Sequence, residues 1–114
     1  MIRHSVVLVP FPFDDFSGKK VRPAVCLTEE IGRYQHIVIA FISSKLDQNA
    51  TESDLLILDT DEGFSMTGLA LSSVIKLHRL ITVPTNLIKR KLGELSPAYQ
   101  KQLKLKLKEI FALD

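Results

Sequence analysis

The chain has 114 residues, 46% of them hydrophobic and 25% charged, which suits one globular domain and excludes a disordered tail, a collagen-like repeat and a disulfide scaffold. Its single cysteine, Cys26, can neither staple a small fold nor hold zinc alone, and its apolar surroundings predict a buried thiol in a reducing compartment. The net charge of +2 is mild but uneven, with +2 over residues 1–28, −6 over 29–66, +2 over 67–88 and +4 over 89–114.

Such asymmetry predicts an anionic partner for one surface. The lysines of the tail are accounted for as a solvated helix face. Met1-Ile2-Arg3-His4 does not open a signal-peptide pattern, and no apolar stretch reaches the roughly 18 residues of a membrane span. The expectation is a single soluble, cytoplasmic domain over 1–114.

The first two-thirds reads as β-structure. Ser5 to Phe11 is short, apolar and β-branched, as a buried strand is, with Pro10 and Pro12 placing its end at a sheet edge or beyond it. Asp14 to Lys20 is polar, contains Gly18 and predicts a loop. Arg22 to Thr28 predicts a second strand and His36 to Ile42 a third, which runs into Ser43-Ser44. Lys45 to Ser53 is polar and suits a helical turn, and Asp54 to Leu58 predicts a fourth strand. Glu62 to Gly68 reads as a loop; Leu69 to Leu77 and Leu80 to Val83 supply one or two further strands. Short strands at this spacing imply a small barrel or sandwich.

The last quarter changes character. Asn86 to Lys91 suits a short helix stopped by Gly93. Ser96-Pro97 is a helix start, with Ser as N-cap and Pro in the first turn. Beyond it, Tyr99, Leu103, Leu107, Ile110 and Phe111 fall on one helical face. Residues 103–108 also alternate as a strand does, but the start signal and the helix-forming Leu, Lys, Gln and Glu favour helix, leaving Leu105 off the apolar stripe.

Common enzyme motifs are absent: no Gly-rich phosphate loop, no G-x-S-x-G and no H-E-x-x-H. His4, His36 and His78 are too far apart for a local metal motif. The acidic residues of 47–62 read as solvated loop residues. Three places can carry chemistry. Arg22 opens a strand just after Lys19-Lys20, and a strand-held guanidinium can grip a phosphate with two donors at once. Ser43-Ser44 end a strand, where hydroxyls can donate to a phosphate oxygen. In Lys76-Leu77-His78-Arg79, extension puts Lys76 and His78 on one face, a cation beside a proton acceptor. Residue types alone favour a solvent-facing arginine, turn-forming serines and an ordinary polar strand face.

In combination these residues resemble a family. Val6-Val7-Leu8-Val9-Pro10-Phe11-Pro12-Phe13-Asp14-Asp15-Phe16-Ser17-Gly18-Lys19-Lys20 followed by Arg22-Pro23-Ala24-Val25 is similar to the first motif of the PemK/MazF-type toxins, the ribonucleases of bacterial toxin–antitoxin pairs. Ala40-Phe41-Ile42-Ser43-Ser44, Ser73 to Thr82 and Gly93-Glu94-Leu95-Ser96 follow the family's later blocks in order. The resemblance implies a mainly β fold, a small SH3-like barrel of five to seven short strands with a C-terminal helix. It also implies a homodimer, an acidic antitoxin partner, no membrane and no cofactor. The implied activity is metal-independent cleavage of single-stranded RNA, in which the 2′-OH attacks the adjacent phosphorus and leaves cyclic phosphate and 5′-hydroxyl ends.

Residue by residue, the resemblance puts Arg22 on the catalytic arginine and Ser43 where many members have a phosphate-binding threonine. His78 stands where an acidic residue is common and is the candidate general base. Lys19, Lys20, Ser44, Lys76 and Arg79 are the candidate nucleic-acid contacts. Phe13, Phe16 and Phe64 are candidates for stacking on bases. The family's usual Gly-Asp before the first strand is His4-Ser5 here. Two other readings accompany this one: a non-catalytic gyrase inhibitor like the CcdB proteins, and an inactive antitoxin-binding relative.

Overall fold

The computed structural model describes residues 1–10, 20–46 and 51–114. Its elements are β1 (Ser5–Pro10), β2 (Val21–Cys26), β3 (His36–Ser43), β4 (Asp54–Ile57), a 3₁₀ turn (Phe64–Thr67), β5 (Ser73–Pro84), a shorter 3₁₀ turn (Thr85–Leu87), β6 (Arg90–Glu94) and α1 (Pro97–Ile110). The strands form one antiparallel, curled sheet in the order β4-β5-β3-β2-β1-β6, a half-barrel closed at one side by the helix.

The sheet is buried on both faces, which is why β1 to β3 read as near-continuous apolar runs. On one face, Val6, Val25, Ala40, Ile42, Ile57, Ile75 and Leu77 pack under Leu95, Tyr99 and Leu103. On the other, Val7, Val9, Ala24, Cys26, Ile37 and Ile39 form a second core, covered by Ile2, Phe41, Ile81, Val83 and Ile88 as the sheet curls over itself.

The curl has a local cause in β5. Its pairing with β3 jumps between Ala40, opposite Leu80, and Ile42, opposite Ile75. Residues 76–79 therefore face the single residue Phe41, and this surplus of backbone bends β5 in the manner of a large bulge. The first half of β5 then pairs with β4, from Asp54 opposite Lys76 to Ile57 opposite Ser73. One twelve-residue strand thus occupies the stretch where the sequence suggested one or two, and it begins four residues later than Leu69.

The helix begins as expected. Ser96 caps it by accepting a hydrogen bond from the Tyr99 N–H at 3.3 Å, and Pro97 sits in its first turn. Tyr99 and Leu103 are buried and Leu107 and Ile110 pack against the same core, while Leu105 is 54% exposed. Phe111, expected on the apolar stripe, is instead 53% exposed, because the helix has ended and Phe111 is its C-cap. The Tyr99 hydroxyl donates to Asp61 Oδ2 at 2.9 Å; burial, followed by that carboxylate, pushes its ionisation upward.

A second expectation changes more. The short helix over Asn86 to Lys91 is a 3₁₀ turn of three residues followed by β6, which pairs with β1 and runs through Gly93. Gly93 is in β6 because nothing larger fits: a Cβ there would lie 2.1 Å from the Met66 carbonyl oxygen. Gly68, at φ +72, meets the Leu92 carbonyl in the same way, so the first 3₁₀ turn and β6 lie backbone against backbone. A glycine that permits close approach resembles a helix stop in the sequence.

At the start of β1, His4 has φ +75, a conformation that glycine adopts without cost. Its N–H donates to the Cys26 carbonyl at 2.7 Å and its carbonyl accepts from Leu95 at 2.9 Å, so it ties β2 to the approach of α1.

Candidate active site

The register gathers the candidate residues. Arg22 is paired with Val9 of β1, which places its side chain on the second-core face, in a partly buried position near the open end of β2. The β2–β3 ladder ends with Ala24 opposite Phe41. Continued by two residues, the same register sets Arg22 opposite Ser43 on one face. Ser43 lies opposite Val74 of β5, and two residues along β5 is Lys76. Arg22, Ser43 and Lys76 therefore occupy three adjacent strands on the face turned away from the helix.

The Ser43 hydroxyl oxygen accepts a hydrogen bond from the Lys45 N–H at 3.1 Å. That contact fixes the rotamer that a threonine methyl would otherwise restrict, and it leaves the hydroxyl proton available to donate. Ser44 follows in an exposed bend and Lys20 is exposed just before β2. Lys19, Phe13 and Phe16 lie outside the described residues. Phe64 packs against the helix-side core, so it is a core residue rather than a platform for a base.

Lys76 and His78 come together through a residue that the sequence reading set aside. Asp54 is the first residue of β4, and its side chain is only 2% exposed. Its Oδ2 accepts from Lys76 Nζ at 3.2 Å and from the Thr51 N–H at 3.0 Å. Its Oδ1 is 4.0 Å from His78 Nδ1. The Ser53 hydroxyl is 3.1 Å from the same Nδ1 and 2.7 Å from Thr51 Oγ1. Asp54 is thus a buried, paired carboxylate, not one of the solvated loop acids expected over 47–62. Lys76, a candidate phosphate contact, is the partner that makes its burial tolerable.

His78 and Arg79 lie in the surplus segment of β5, free of the β3 ladder, and both are exposed. His78 shares a side with Lys76 through Asp54, as the spacing predicted for an extended segment. The bulge allows this stretch to aim polar groups outward between two halves that are committed to the cores.

The arrangement offers an arginine fork, a hydroxyl donor, an ammonium group and an imidazole along one rim. These are donors for a multiply charged anion together with one ring whose nitrogen can accept a proton. Among the described residues, no cluster of three or more His, Cys, Asp or Glu side chains could hold a metal ion. No helix among them is long and apolar enough to cross a membrane.

Comparison with known proteins places the fold. The solved structure of Mycobacterium tuberculosis toxin MazF-mt6 superposes with a TM-score of 0.72 at 18% identity, covering 96% of this chain and 98% of that one. An endoribonuclease in complex with its cognate antitoxin from Mycobacterial species gives a TM-score of 0.72 at 13% identity, over 100% of this chain and 97% of that one. A further endoribonuclease from Mycobacterial species gives 0.69 at 12% identity, over 99% and 92%. A search of curated proteins finds no match. At these identities the structural likeness establishes the fold. The family model described as "PemK-like, MazF-like toxin of type II toxin-antitoxin system" matches residues 2–111, and the chain belongs to that family.

Proposed function

We propose that the chain is an endoribonuclease toxin that cleaves single-stranded mRNA without a metal ion, acting in the cytoplasm as a homodimer that a cognate antitoxin restrains. The observation that carries this reading is the placement of Arg22 and Ser43 on one rim of a chain that belongs to the toxin family over residues 2–111. The endoribonucleases among its structural neighbours, one of them with its antitoxin, support it further.

In this reading the phosphate lies between Arg22 and Ser43. A base takes the proton of the 2′-OH, the 2′ oxygen bonds to phosphorus, and negative charge builds on the non-bridging oxygens. The guanidinium and the serine hydroxyl donate to those oxygens when the charge is greatest, which is where preorganised donors lower a barrier. The bond from phosphorus to the 5′ oxygen breaks, a proton passes to that oxygen, and the products are a cyclic phosphate and a 5′-hydroxyl. His78 is the base: it is exposed and held on the same rim as Lys76. Lys20, Ser44 and Arg79 contact the strand on either side, with Lys19 expected to join them.

Purified protein incubated with a long RNA in EDTA, with both new ends mapped, tests the reading. Cleavage that leaves 5′-hydroxyl ends supports it. Cleavage that needs divalent metal, or 5′-phosphate ends, overturns the mechanism. An intact RNA overturns the enzyme and favours a gyrase inhibitor or an inactive relative.

A further inference from the structure

We propose that Ser53 and Asp54 are positioning residues that hold neutral His78 with its proton on Nδ1, so that Nε2 faces outward as the bare nitrogen that accepts the 2′-OH proton. The proposal rests on the reading of His78 as the base. It adds a supporting shell from the start of β4 that has no counterpart in any motif of the sequence.

The argument begins from the two nitrogens of the ring. Nδ1 faces inward, with Ser53 Oγ at 3.1 Å and the buried Asp54 Oδ1 at 4.0 Å. Among the described residues, no hydrogen bond engages Nε2, and the side chain is 48% exposed. A hydroxyl can donate or accept, so Ser53 alone would leave the tautomer open. Asp54 breaks that symmetry. An ionised carboxylate beside Nδ1 favours the proton on that nitrogen, because the positive end of the N–H dipole then points toward the negative charge. With Nδ1–H donating to Ser53 Oγ, the serine proton can pass on to Thr51 Oγ1 at 2.7 Å, and each atom of the chain has one role.

A second observation supports the assignment. Asp54 Oδ2 is satisfied by Lys76 and Thr51, whereas Oδ1 is buried without a hydrogen-bond partner. A buried acceptor left open is costly in the resting protein. Here it is aimed at the nitrogen that becomes part of a cation when His78 takes the proton from RNA. The carboxylate, 4.0 Å away, is then a nearby negative charge that stabilises the imidazolium when it appears. Lys76 on β5 shares the carboxylate, Arg79 adjoins His78, and Lys106 of α1 donates to the Glu52 carbonyl at 2.9 Å.

Nitrogen-15 NMR of the imidazole in the RNA-free protein reads the tautomer directly, and cleavage of a defined RNA reads the consequence. In wild type, neutral His78 is expected as the Nδ1–H form; a predominant Nε2–H form overturns the proposal. Ser53→Ala and Asp54→Asn should each raise the Nε2–H fraction and slow cleavage by roughly 10-fold or more, while Ser53→Thr, which keeps the hydroxyl, should restore both. Ser53 is only partly buried, so Ser53→Ala opens no core even if circular dichroism shows Asp54→Asn to be misfolded. An unchanged tautomer in Ser53→Ala, or a Ser53→Thr variant that restores neither readout, overturns the proposal. A His78→Ala protein that cleaves at the wild-type rate overturns the base role itself, and the tautomer spectrum tells that failure apart from a failure of the shell.

Discussion

The two faces of the sheet are both buried, yet they are built to different ends. The helix-side core is largely apolar, from Val6 to Leu103, and the Tyr99 hydroxyl within it is satisfied by Asp61. The second core is equally apolar at its centre, around Val9, Cys26 and Ile39, but on the same face it gives way to Arg22 and Ser43 and, across β5, to the Asp54–Lys76 pair. The proposed site thus lies where the second core gives way to polar side chains, on positions whose backbone is fixed by the sheet. The comparison implies that stability and activity are separable by face.

The largest separation is expected from Arg22→Ala, which should slow RNA cleavage by roughly 10²–10³-fold in a protein that still folds. Ser43→Ala should cost less, about 10-fold, because a neutral donor to a charged oxygen is weaker than a guanidinium. Single-turnover assays beside a melting curve decide it, and an equal loss of stability in Arg22→Ala would collapse the distinction. On the other face, Leu103→Ala should cost about 2–5 kcal/mol in urea unfolding, with cleavage retained at temperatures where the variant is folded. Loss of cleavage in the folded variant would show that the helix reaches the site.

A smaller effect is expected where the two faces share a backbone turn. His4→Gly should raise stability by roughly 0.5–1 kcal/mol, since it relieves a left-handed conformation and removes a buried, partnerless Nδ1. Acid sharpens the same point. Burial, then Arg3, lowers the His4 pKa below its ordinary 6.5, so its contribution to stability is full above that value and is lost as pH falls through the lower folded value. Glu29, whose carboxylate accepts from the Ile2 N–H at 2.7 Å, is likewise depressed below 4.5, and its share is lost at lower pH. Urea midpoints measured from neutrality downward should therefore fall in two steps. His4→Gly should remove the first and Glu29→Gln the second.

Much of this organisation is legible in the residues themselves. The strands β1 to β4 announce themselves by short apolar runs, β-branched above all in β1 and β3, and α1 by Ser96-Pro97, because those signals are local. Arg22 and Ser43 stand out through their place in a recognisable order of motifs. What stays hidden is what pairing creates. Asp54 lies 22 residues from Lys76, and only the register of β4 on β5 makes them neighbours. Gly93 reads as a stop until the backbone of the 3₁₀ turn is set against it, and the bend in β5 comes from a mismatch with β3 that neither strand contains alone.

Cys26 has a consequence of its own. It sits in β2 among the second core, fully buried, and burial, followed by Glu29, pushes its thiol up to about 11. The thiolate that alkylating reagents need is therefore scarce and sealed while the sheet is intact. As the chain's single sulfhydryl, it acts as a clock: each labelled molecule records one opening of the central strands, and antitoxin or RNA that slows the labelling would be weighed by how far it holds the sheet shut.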